Sequence, residues 1–243
     1  MMRDLFVCFS KEFKFYFQSK IVYLLLFVYT AMVSSITLYA TDFYVNTSVS
    51  MYQFFKFQPG ILSMIIPALT MRFWADEYKH NTLEVLLTQP ISYWAVVLGK
   101  FMAAWVVVGI MLLATFGLWC VVGCFVDLDN SLVLVNYLLA FLMSGALCGV
   151  ACLASVVTYN ALKAFLIGLA ACLVITNVSF GSFVGKVLPD NVFLENLFKY
   201  FNFTQLFDEM IKGQIGISSL LYFLMIIVFS LVMVETIVEH KKG

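Results

Sequence analysis

The chain has 243 residues, 63% of them hydrophobic and 12% charged, with 14 basic and 14 acidic residues and hence no formal net charge. Soluble domains run at about 45–50% apolar and about 25% charged, so this composition, with a mean hydropathy of +0.99, excludes a soluble domain and describes an integral membrane protein. A neutral chain with a pI of about 6.7 carries no electrostatic footprint for nucleic acid, which is excluded as a partner.

Residues 3–18 set Arg3, Asp4, Lys11, Glu12 and Lys14 among apolar side chains, and Leu5, Phe9, Phe13 and Phe17 recur every fourth position. That pattern predicts an amphipathic juxtamembrane helix lying on the membrane surface. No small-residue cleavage site follows, and the next apolar run is longer than a signal-peptide core, so the segment is not expected to be cleaved.

Six apolar runs come next, at about 21–40, 58–75, 94–126, 131–157, 160–183 and 217–236, each near or above the ~20 residues that cross ~30 Å of hydrocarbon. The fold class expected is therefore all-α, a single transmembrane domain over 1–243 with six spans. With the N-terminus inside, four of the fourteen Lys and Arg residues fall outside (Lys56, Lys186, Lys199, Lys212) and the rest inside. The positive-inside bias then puts both termini in the cytoplasm.

Between the second and third runs lies the densest polar island, Met71 to Ser92. Arg72 closes the apolar run, and Asp76, Glu77, Lys79 and His80 read as a solvated turn of helix flanking Tyr78. Asn81 tolerates the left-handed backbone that stops one helix and can cap the next. With Glu84 three residues on it resembles a capping box, so a new helix is expected from Thr82. Leu83, Leu86 and Leu87 share one face of it, Glu84 points away, and Pro90 ends it. The product is a short surface helix that a soluble partner could grip.

The segment 182–216 is too apolar for a plain loop. Phe193, Leu194, Leu197, Phe198, Phe201 and Phe203 interleave with Asp190, Glu195, Lys199 and Asp208 near a period of 3.6, which predicts one or two short helices dipping into the outer leaflet. A re-entrant outer gate and an amphipathic helix that seals the outer face both fit.

Candidate chemistry inside the chain is sparse. Cys120/Cys124 and Cys148/Cys152 are i, i+4 pairs without histidine, and read as packing rather than as a zinc set. Gly145 and Gly149, with Ser144, Cys148, Cys152 and Ser155, form a small-residue face suited to close helix packing within the subunit. Gly181 to Val187 has three residues between its glycines, and Val187 stands where a phosphate loop needs Ser or Thr. The span interiors are nearly free of Asp, Glu, Lys and Arg, with Glu235 the nearest approach, which argues against an ion-coupled carrier. Asn136, Asn160, Asn177, Ser34 and Ser35 are expected to bond between helices. Neither a catalytic nor a metal-ligating constellation is legible, so no enzymatic activity and no cofactor are expected in this chain.

The run Asp76-Glu77-Tyr78-Lys79-His80-Asn81-Thr82-Leu83-Glu84-Val85-Leu86-Leu87-Thr88-Gln89-Pro90-Ile91 resembles the acidic-x-basic-x-Gly-Thr-Leu-Glu-x-Leu-Leu-x-x-Pro pattern of type-2 ABC transporter permeases (the ABC-2 family), closest in look to gliding-motility-like and copper-processing-like exporter subunits. Asn81 stands where that family has glycine. The resemblance implies that this loop is a coupling helix: Asp76, Glu77, Tyr78, Lys79, Asn81, Thr82 and Glu84 would dock a separate ABC ATPase, and Leu83, Leu86, Leu87 and Pro90 would anchor it to the spans. Lys11-Glu12-Phe13 with Tyr16 is similar to the family's elbow helix, and Lys20 stands where relatives carry proline. Also implied are a second permease copy or sibling, ATP and Mg used by the partner, export, and the bacterial inner membrane. A cavity lined by Phe, Leu and Met suits a lipid-like or apolar substrate. Two alternatives stand beside this reading: an ion-coupled secondary carrier, and a non-transport membrane anchor of an ATPase-driven motility or secretion complex.

Overall fold

A computed structural model of the chain describes residues 2–40, 51–79, 92–124, 128–177 and 202–240. Among them are eleven helices and no strand: α1 (Met2–Gln18), α2 (Lys20–Ala40), α3 (Tyr52–Lys56), α4 (Gln58–Thr70), α5 (Ala75–Lys79), α6 (Tyr93–Ala114), α7 (Phe116–Gly123), α8 (Asn130–Val157), α9 (Ala161–Asn177), α10 (Phe203–Ile211) and α11 (Ile217–His240). The all-helical class expected from composition is the class observed.

Four stretches are long and apolar enough to cross a membrane: Lys20–Thr37, Tyr93–Gly123, Asn130–Val157 and Ile217–His240. Gln58–Thr70 and Ala161–Asn177 are apolar but shorter, so six complete crossings rest on sequence rather than on these helices. The Tyr93–Gly123 stretch is divided into α6 and α7 at Thr115, whose hydroxyl donates to the Leu112 carbonyl at 2.6 Å and meets the Tyr137 hydroxyl at 3.2 Å.

The layout follows from burial. α8 has 72% of its apolar window inside the protein, against 22–33% for the other three long helices. It is the central post, with α4, α6, α9 and α11 packed round it. Its small residues let that happen: a Cβ on Gly149 would fall 2.0 Å from Ser230 Oγ on α11, and one on Gly145 would fall 2.9 Å from the Trp105 ring on α6. The Gly145/Gly149 face is thus used within the subunit. Asp129 caps α8, accepting from the Ser131 and Leu132 amides.

The polar residues of the spans divide. Asn136 does bond between elements, donating to the Ile211 carbonyl at 3.2 Å. Ser34 and Ser35 instead donate back to the Thr30 and Ala31 carbonyls of their own helix at 2.6 and 2.7 Å, because a hydroxyl in hydrocarbon is satisfied by the carbonyl four residues earlier. Asn177 likewise donates to Leu173 O at 3.1 Å. Asn160 caps α9 through the Leu162 amide at 2.9 Å.

α1 lies against α6 and adjoins α2. The two N-terminal helices are separated by Ser19 alone, whose amide donates to Tyr16 O at 3.1 Å. Phe9, Phe13 and Phe17 stand in a row with ring centroids 5.5 and 4.8 Å apart, which is the four-residue period read from the sequence. Phe6, Val7 and Phe15 are exposed, as an amphipathic helix on a membrane would present them. Of the outer segment, α10 is described; it packs on α8 with Phe203, Phe207 and Met210 buried. Residues 182–201 lie outside the described residues.

Candidate functional site

The site is built where α1, the end of α4, α5 and the start of α6 converge. Ser92 caps α6, its hydroxyl accepting from the Ala95 amide at 3.4 Å. Eight residues on, ~12 Å along the helix axis, comes Lys100, only 4% exposed. A buried ammonium needs compensating charge. Here Lys100 Nζ donates to Glu12 Oε1 at 2.8 Å and to Glu77 Oε1 at 3.2 Å, and lies 5.6 Å from the centre of the Trp74 ring. One cation thereby ties together the surface helix α1, the polar loop helix α5 and the long apolar helix α6.

Close approach of α1 makes this possible. Gly99 precedes Lys100, and a Cβ there would fall 2.8 Å from Cys8 Cβ and 3.1 Å from the Phe9 amide nitrogen. Cys8 and Glu12 are one turn apart on the same face of α1, so the Gly99 contact sets Glu12 at the height of Lys100. Burial and then the Glu12 carboxylate push the Cys8 thiol up, which keeps it a neutral packing group. One turn beyond, Tyr16 is buried against Phe73 (ring centroids 5.9 Å apart) and donates to the Leu69 carbonyl at 3.3 Å.

The loop side is pinned to α8. The Trp74 amide donates to Ser155 Oγ at 3.2 Å, and Ser155 Oγ donates to Met71 O at 3.4 Å. Tyr78 donates to the Val156 carbonyl at 3.2 Å and lies against Tyr159 with ring centroids 4.7 Å apart. Burial, with Tyr159 beside it, pushes the Tyr78 phenol up to about 12, so it stays a donor. The 71–78 segment is thus clamped between the C-terminal end of α8 and the α1/α6 pair, and a displacement of α5 is felt by three helices.

Of the residues singled out in the sequence, Glu12, Phe13 and Tyr16 line the inner side of α1, and Glu12 and Glu77 meet at Lys100. Glu77 does not face solvent as the sequence reading has it, since its side chain is 17% exposed and turned onto Lys100. Lys11 is exposed. The side chains of Asp76 and Lys79, and Asn81, Thr82, Leu83, Glu84, Leu86, Leu87 and Pro90 altogether, lie outside the described residues. Sequence reasoning missed the roles of Lys100 and Trp74, and read Ser155 only as part of a small-residue face. It also named Glu235 as the nearest charge to a span interior, where Lys100 is the buried one. The available signal was Lys100 itself, a lone cation two turns inside an apolar run with no acidic residue at i±3 or i±4.

Beside the joint a cavity of about 580 Å³ opens between α1, α2 and the end of α4. A second, of about 440 Å³, lies at the far end of the helices near Lys56, Asn177 and Asp208. There Asp208 accepts from Tyr52 and from Lys212, both at 2.5 Å. Burial opposes its charge, but these two bonds outweigh it and hold the carboxyl below its ordinary value.

A family described as ABC-2 family transporter protein matches residues 7–238 of the chain. No curated protein matches it significantly.

Proposed function

Since the chain belongs to the ABC-2 family of transporter proteins and is a multi-pass membrane permease subunit, we propose that it works as one half of an ATP-driven exporter whose ATPase is a separate chain. The observation that carries the proposal beyond the family is the Lys100 joint. An ATPase that moves the loop between α4 and α6 must pass that motion to the spans. Glu77 on α5, Glu12 on α1 and Lys100 on α6 form the direct link.

In this reading the loop from Asp76 to Pro90 faces the cytoplasm, with both termini on the same side of the inner membrane and six crossings in all. Glu84 and Asp76 meet basic residues of the ATPase, while Leu83, Leu86, Leu87 and Pro90 seat the loop helix on the spans. Glu77, held by Lys100, passes the motion on rather than touching the partner. Two permease chains, identical or siblings, each take one ATPase, and ATP with Mg is used there. The apolar interior suits a lipid-like or apolar substrate.

The test is co-purification from detergent with ABC ATPases encoded in the same genome. Wild type should retain one, and Glu84→Arg should lose it, since a charged contact at a partly buried docking surface is worth about 2–5 kcal/mol. Retention unchanged in Glu84→Arg would remove that residue from the interface. A wild-type chain that retains no ATPase would overturn the proposal.

A further inference from the structure

We infer that the cavity between α1, α2 and the end of α4 is a binding site for the head group of an anionic phospholipid, in the leaflet on the side where α1 lies. The inference rests on the membrane-spanning character of the chain, not on any ATPase.

The charge of the site comes first. The cavity is lined by Lys11 and Lys14 from α1 and by Arg72 from the turn after α4, together with Glu12, Glu77 and Lys100. Both carboxylates are engaged by Lys100, at 2.8 and 3.2 Å. Lys11, Lys14 and Arg72 have no carboxylate within ion-pair distance among the described residues and are exposed. The lining therefore carries a net charge of two positive units, with three cations free to take an anion. Lys11 and Lys14 are three residues apart, so they rise from one face of α1.

The shape of the site selects a lipid over a free anion. Its inner wall is apolar, made by Val22, Leu25 and Leu69. Its volume of about 580 Å³ falls within the ~300–1,000 Å³ of small-ligand pockets. Its lining includes Ser19, where α1 gives way to α2, and from there α2 presents Tyr23, Leu24 and Phe27, each more than half exposed. A phosphate among the cations would leave its glycerol on the apolar wall and its acyl chains along that exposed face. Each Lys or Arg near an anionic membrane surface adds attraction equivalent to about fivefold in affinity, and basic pockets there bind such head groups.

The experiment is native mass spectrometry of the full-length chain, titrated with phosphatidylglycerol or phosphatidylcholine, for wild type and for Lys11→Gln/Lys14→Gln/Arg72→Gln. Wild type should bind phosphatidylglycerol preferentially, and the triple variant should lose that preference by roughly a hundredfold, the product of three cations. Equal binding of both lipids to wild type, or an unchanged preference in the variant, would overturn the inference. A second arm keeps the test independent of the variant's folding: thermal stability of wild type with each lipid and with inorganic phosphate. Stabilisation by phosphatidylglycerol alone supports the lipid site, whereas equal stabilisation by inorganic phosphate would make this a free-anion site and overturn it. Neither arm contains an ATPase, so failure here leaves the permease reading intact.

Discussion

Lys100 has two carboxylates within hydrogen-bond reach and an aromatic face beneath it, so removing it takes an ion-pair partner from both at once. Glu12 and Glu77 are 15% and 17% exposed and keep little water. Lys100→Met should therefore destabilise the protein by about 3–5 kcal/mol. The neutral triple variant Glu12→Gln/Glu77→Gln/Lys100→Met should recover much of that loss, because it removes the three paired charges together. Unfolding in graded detergent reads both, and a triple variant as unstable as Lys100→Met would contradict the ion triad. Asp208 gives a second test at this scale. Its carboxyl is held below its ordinary value by Lys212 and Tyr52, so its contribution is complete above the unfolded value of about 4 and disappears as pH falls through the lower folded value. Wild type should lose stability below about pH 4 more steeply than Asp208→Asn, and identical acid profiles would show that the pair contributes nothing.

At the scale of elements, the contact between α8 and α11 depends on the missing side chain of Gly149. A Cβ there would overlap Ser230 Oγ, whereas a Cβ on Gly60 meets nothing within 4 Å. Gly149→Val should cost about 1–3 kcal/mol or more through forced separation of the two helices. Gly60→Ala should be neutral or stabilising by up to about 1 kcal/mol. A thermal unfolding series reads the difference, and equal effects of the two would show that the helices are not in close contact. The helices themselves were legible in sequence because apolar length is a one-dimensional signal: Ile217 onward and Asn130 to Val157 start within a residue of where the hydropathy puts them. The elbow helix was legible through Phe9, Phe13 and Phe17, whose spacing is also local. The joint was not. Glu12 is 88 residues from Lys100 and Trp74 is 81 from Ser155, and pairing over such separations leaves no periodic trace. One lysine does not interrupt an apolar run, so it reads as a helix end rather than as a hub.

For the whole molecule, the arrangement explains how a loop can act on a bundle. α8 stands at the centre, α11, α9, α4 and α6 surround it, and the 71–78 segment is fastened to the end of α8 by Ser155 and Tyr78 and to α1 and α6 by Glu77. Pushing the loop therefore displaces helices that are packed to each other, and packed elements move as bodies rather than deforming continuously. Composition and family fix the class of molecule, and under the proposed function the Lys100 joint is the path by which a partner's work would reach the spans. The most direct measurement is ATP turnover of the permease–ATPase complex in nanodiscs, compared with the ATPase alone and with a complex carrying Glu77→Gln. Wild type should alter ATP turnover severalfold, and Glu77→Gln should still bind the ATPase but lose most of that effect. Full retention of the effect in Glu77→Gln, with binding intact, would contradict the Lys100 joint as the coupling path.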